Sequence, residues 1–140
     1  MTIEPEDFIK RGWKINIATL RGSVNLEKSS IIKYDKLIRD RIPEIIEAAG
    51  SKAIVETLDK ENFKKYLNIK LREEMEEYLQ DGSVEELADL VEVVYALLDC
   101  KGVSLEEFEG IRAAKAKERG AFRKRLLLKE VIKKTRNNEC

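Results

Sequence analysis

Through the middle of the chain, apolar residues recur at helical spacing, and capping residues mark where each run starts and stops. Phe63, Leu67, Leu71 and Tyr78 step by four, four and seven, which puts them on one helix face. Asp59 suits the N-cap of that helix and Gly82 its left-handed C-terminal residue, so the pattern predicts a long helix running to about Gln80. Ser83 followed by Glu86 is a capping-box pattern and opens a helix that ends before Gly102. Ser104 with Glu107 repeats it and opens another, ending near Gly120. "SVEE" and "SLEE" look like an internal repeat, but two capping boxes explain the likeness. Upstream, Pro43 suits the first turn of a short helix that stops before Gly50.

Three stretches read differently. "WKINIATL" alternates Trp13, Ile15 and Ile17, the period of a short strand. "AIVETL" is rich in β-branched residues and also reads as a strand. "RKRLLLKEVIKKTR" carries an apolar run that can pair as strand or helix. The expected fold is therefore all-α, an antiparallel helical hairpin or bundle with minor short β segments.

Composition narrows the class. A chain of 140 residues suits one domain and can bury a core without disulfides. Its two cysteines, Cys100 and Cys140, give no disulfide framework, which fits a reducing compartment. Cys100 closes an apolar run and is expected to be packed. There is no basic segment followed by an apolar core at the N-terminus, and no apolar run long enough to span a bilayer. A cytoplasmic protein without a membrane partner is expected.

The formal net charge of zero hides an asymmetry. Residues 73–109 hold 13 acidic residues and one basic residue, whereas 111–136 hold 11 basic and two acidic. Such separation bears on partners rather than on fold. Two solvated faces that neutralise each other would explain it; so would an acidic cation site beside a basic anion site.

Hairpin geometry favours the second explanation. Glu74 and Glu77 share one helix face, as do Glu86 and Asp89 on the next helix. Glu77 lies five residues before Gly82 and Glu86 four after it; Glu74 lies eight before and Asp89 seven after. With about 1.5 Å of rise per residue, each pair falls at nearly the same height across an antiparallel turn. Glu74 also occupies a gap where the apolar stripe calls for an apolar residue. In 87–98, "LADLVEVVYALL", ten of twelve residues are apolar, so this helix should be buried on most sides, with only Asp89 and Glu92 polar. Buried carboxylates are costly unless paired or bound to a metal. The lesser alternative for Asp89 is a buried salt bridge to the basic C-terminal segment, whereas Glu92 divides evenly between a metal-site and a structural role. Glu73, Glu76 and Glu85 read chiefly as a solvated face. With no histidine in the chain, an all-oxygen donor set favours Mg2+, Mn2+ or Ca2+.

"EEMEE" followed by "EELAD" on adjacent helices resembles the MazG-like all-α nucleotide pyrophosphohydrolases. "YDKLIRDRIPEIIEAAG" at 34–50 is similar to the N-terminal signature of the branch related to phosphoribosyl-ATP pyrophosphohydrolase, and "KERGAF" at 117–122 to its C-terminal signature. The resemblance covers 33–131, leaving 1–32 as an extension of unassigned role and 132–140 as a basic tail. It implies the all-α NTP pyrophosphatase fold and hydrolysis of a nucleoside triphosphate, such as a non-canonical one, between the α and β phosphates, giving a monophosphate and pyrophosphate. It further implies Mg2+, with Mn2+ as a substitute, held by Glu74, Glu77, Glu86 and Asp89; Glu92 stays a further candidate ligand from the reading of its helix alone. A house-cleaning role and assembly as a homodimer or homotetramer complete what it implies.

The residue types suit that chemistry. Attack on a triphosphate needs charge neutralisation and a positioned water, and either Glu73 or Glu77 can take the proton. Without a Gly-rich phosphate loop, the anion must be met by side chains. Lys36, Arg39 and Arg41 are candidates in the first signature, and Lys115, Lys117 and Arg119 in the second. The alternatives are phosphoribosyl-ATP as the substrate, a non-catalytic helical module binding nucleotide or nucleic acid through the basic tail, and a purely structural oligomerisation hairpin. The tail lacks aromatic residues for stacking bases, so nucleic acid is not the expected partner.

Overall fold

The computed structural model describes residues 30–135. Among them there are four helices and no strand, so the fold is all-α. The expected strand around Trp13, Ile15 and Ile17 lies outside the described residues. No described helix is long and apolar enough to cross a membrane. The chain divides into two compact units, Met1–Ser104 and Leu105–Cys140. The domain expected over 33–131 spans this division.

In the first unit, α1 covers Ile42–Ala48, with Pro43 in its first turn and Ile42 buried. Proline fits there because its missing N–H belongs to a position that has no intrahelical acceptor. Residues 51–59 contain neither helix nor strand. "AIVETL" is thus not the strand its β-branched residues suggest: Ile54 is 83% exposed, and no described strand offers a ladder. A lone β segment has neither backbone partners nor a face to bury.

Helix α2, Lys60–Asp81, begins as its punctuation predicts. Asp59 Oδ1 accepts from the backbone N–H of Asn62 at 2.8 Å. It ends at Gly82, whose φ of 69° is left-handed and whose N–H donates to the Tyr78 carbonyl. A side chain is strained in this conformation, whereas glycine enters it freely. Helix α3, Val84–Cys100, starts at once: Ser83 Oγ accepts from the Glu86 N–H at 3.3 Å. With only Gly82 and Ser83 between them, α3 folds back antiparallel along α2. Leu67 of α2 and Val93 and Leu98 of α3 form the buried apolar centre of the hairpin.

Two expectations for α3 fail. Leu87, Val91 and Tyr95 are exposed, so the helix is buried on one side and not on most sides. The hairpin partner can cover only the stripe that faces it. Cys100 is exposed rather than packed, because it is the last residue of the helix and lies beyond the buried Leu98.

The second unit contains α4, Leu105–Arg119, with acidic residues in its first turn, Lys117 and Arg119 in its last, and no buried residue. That order complements the helix dipole. Gly120, at φ 84°, follows it. Residues 123–135 form neither of the elements expected for the basic segment; Phe122, Leu126 and Ile132 are exposed, and Arg125 has a left-handed φ of 53° that interrupts regular structure.

Candidate metal centre

Turn chemistry sets the site. Because α2 stops at Gly82 and α3 starts at Ser83, the carboxylates one to three turns on either side meet across the hairpin. Glu74, Glu86 and Asp89 each offer an oxygen, and all three oxygens lie within 4.8 Å of one another. Glu74 is only 6% exposed and Glu86 only 4%. Glu77, half-buried, joins them from the same face of α2 as Glu74.

The cluster is short of positive charge. One oxygen each of Glu74, Glu77 and Glu86 is buried without a hydrogen-bond partner. A buried carboxylate oxygen in that state loses its hydration and recovers nothing for it. The strain registers as proton affinity. Glu77 is pushed up to about 7, first by burial, then by the charges of Glu74 and Glu86 and a proton shared with Glu74, against the pull of Lys70. Glu86 is raised too, by burial first and then by Asp89, Glu74 and Asp81, with a hydrogen bond from Glu77 opposing. Like-charged carboxylates at this range cannot all ionise freely.

Among the described residues, two protein cations touch the cluster. Lys70 Nζ lies 3.2 Å from Glu74 Oε1 and 3.4 Å from Glu73 Oε2. Arg39 Nη2 donates to Asp89 Oδ1 at 2.5 Å. Asp89 is therefore paired with a residue fifty positions upstream. Neither cation sits on Glu86 in these pairings, and its unpartnered oxygen points to a further positive group. Oxygen-only donors at this separation suit a hard divalent cation, so the residues fit the one the sequence implied.

The remaining predicted residues separate clearly. Glu73 is half-buried and tied to Lys70. Glu92 is exposed and outside the trio, because three-residue steps on a helix of 3.6 residues per turn drift further round from Glu86 to Asp89 to Glu92. Arg41 is exposed and pairs with Glu44 one turn on, at 3.3 Å. Lys36 is exposed. Lys115, Lys117 and Arg119 are exposed on α4, in the second unit. Sequence reasoning missed Lys70, although its spacing of three and four from Glu73 and Glu74 was the signal.

No family model, curated protein or solved structure matches the chain. What the site can do rests on its own chemistry. It can bind a divalent cation through buried carboxylates, with a half-buried acid near neutral pKa beside them and one arginine at the rim.

Proposed function

We propose that the protein is a Mg2+-dependent hydrolase of nucleoside triphosphates, cutting between the α and β phosphates to give a monophosphate and pyrophosphate. One observation carries the reading: the buried, unpartnered oxygens of Glu74, Glu77 and Glu86 converge across a hairpin turn. A structural hairpin gains nothing from such an arrangement, whereas a cation with phosphates attached supplies what it lacks. The choice of nucleotide and bond comes from the resemblance of "EEMEE", "EELAD" and the two flanking signatures to the MazG-like enzymes.

In this reading Glu74, Glu86 and Asp89 hold the cation. Mg2+ or Mn2+, when bound, neutralises triphosphate charge and makes a water more acidic. Glu77 is the proton acceptor, since burial and its neighbours place its pKa near the working range of a general base. Glu73 is less suited, because Lys70 holds its carboxylate. Arg39, at the rim, is placed to meet a phosphate. The exposed apolar residues Leu87, Val91 and Tyr95 on α3 support a homodimer or homotetramer that covers them.

A panel of canonical and damaged nucleoside triphosphates plus phosphoribosyl-ATP, assayed for pyrophosphate with Mg2+ or Mn2+, tests the proposal. Pyrophosphate from at least one compound is expected, with loss in Glu74→Ala and Asp89→Ala variants that still fold. Absence of pyrophosphate across the panel would sink the reading. Phosphoribosyl-ATP as the preferred compound would move it to that branch.

A further inference from the structure

Arg39 and the cation of the proposed function compete for the same carboxylate. Asp89 belongs to the trio that can hold a cation, and its Oδ1 is already taken by the Arg39 guanidinium. The pair is not locked in a core: the Arg39 side chain is 50% exposed and that of Asp89 17%. Arg39 sits in a non-helical stretch just before α1, so no helix fixes its direction. The contact is end-on, through one nitrogen, which leaves the rest of a five-donor fork for another acceptor. Lys70 differs: its side chain is 15% exposed, it lies on the same helix as its acceptors, and it bridges two of them. Among the described residues, the site therefore holds one fixed internal cation, Lys70, and one that can leave, Arg39. Evidence for a ligand beyond the acidic cluster itself is Glu86, 4% exposed, with an oxygen buried in the site and unpartnered.

A divalent cation arriving among Glu74, Glu86 and Asp89 repels a guanidinium in contact with one of them. The guanidinium needs another anion, and a triphosphate bound to that cation offers one in the fork geometry arginine favours. We propose that Arg39 is an exchangeable counter-ion: it holds Asp89 until a divalent cation takes that carboxylate, then turns to the phosphates, so that cation entry and triphosphate capture are coupled. The inference rests on the cation site of the proposed function but not on hydrolysis.

The test compares wild type with Arg39→Gln and Arg39→Lys by calorimetric titration, first with Mn2+ alone and then with an α,β-methylene nucleoside triphosphate at saturating Mn2+. Arg39→Gln should bind Mn2+ about tenfold more tightly, having lost its competitor, and the analogue about tenfold more weakly, having lost a charge-assisted bond. Arg39→Lys, which keeps the charge and most of the stem, should bind Mn2+ much as wild type does and lose affinity for the analogue. It serves as the second variant if Arg39→Gln does not fold. Unchanged or weaker Mn2+ binding in Arg39→Gln overturns the exchange, as does unchanged analogue binding in both variants. Failure of wild type to bind Mn2+ overturns the cation site along with it. Absence of hydrolysis leaves both titrations readable, so the two readings fail separately.

Discussion

Replacing Glu77 with Gln should stabilise the cation-free protein and leave most of its response to a divalent cation in place, because Glu74, Glu86 and Asp89 still offer their oxygens. The carboxyl of Glu77 is raised from 4.5 to about 7 in the fold, with burial and the charges of Glu74 and Glu86 as the main causes. At full strength that gap corresponds to about 3 kcal/mol of stability, and solvent screening at a half-buried position reduces it to about 1–2 kcal/mol. The sign follows from proton counts. Below pH 4.5 the group is neutral both folded and unfolded, and Gln offers no advantage. Between 4.5 and about 7 the folded chain keeps a proton that the unfolded chain has released, so wild-type stability falls as pH rises. Above about 7 the loss is complete, and the advantage of Gln levels off. Thermal melts in a chelator across that range should show a variant gain growing to roughly 4–10 °C and then holding. Adding Mg2+ should raise the wild type by about 2.7 kcal/mol at a hundredfold excess over its dissociation constant, and the variant, which keeps Glu74, Glu86 and Asp89, by a similar amount. A Gln variant that melts below wild type in chelator near neutral pH would refute the reasoning, since it would mean that the carboxylate stabilises the hairpin.

Two further substitutions test the frame that positions the site. Leu67→Ala removes the most buried apolar side chain of the hairpin, 3% exposed, and should cost about 2–4 kcal/mol in denaturant unfolding. Gly82→Ala should cost about 1 kcal/mol, because an added Cβ meets open space and only the left-handed φ of 69° is penalised; a loss well above that, read by the same unfolding curves, would mean that the turn is held by something besides its conformation.

Much of the hairpin was legible because its information is local. Asp59, Gly82 and Ser83 each act on backbone groups within four residues, so their types alone place the ends of α2 and α3. Once those ends are set, helical rise aligns Glu74 with Asp89 and Glu77 with Glu86. What failed depends on distant partners. "AIVETL" has strand propensity but no ladder to join. Leu87, Val91 and Tyr95 look like core, yet a single hairpin partner covers one stripe. The Arg39–Asp89 pair joins residues fifty apart, and nothing in the local pattern of either announces the other. Glu92, which the pattern left divided between a metal-site and a structural role, is exposed and outside the trio because its angular position drifts away from Glu86 and Asp89.

The shortness of the Gly82–Ser83 connection also bears on the order of assembly. Residues 74 to 89 are close in sequence, so closing the hairpin brings Glu74, Glu77, Glu86 and Asp89 together by a short loop closure with little entropy to lose. Their repulsion is then expected to be felt early, as α2 and α3 zip, while Arg39 must arrive from a remote part of the chain. A cation present during folding would act on the barrier as well as on the final state. The refolding rate, and not only the melting point, should rise with divalent concentration.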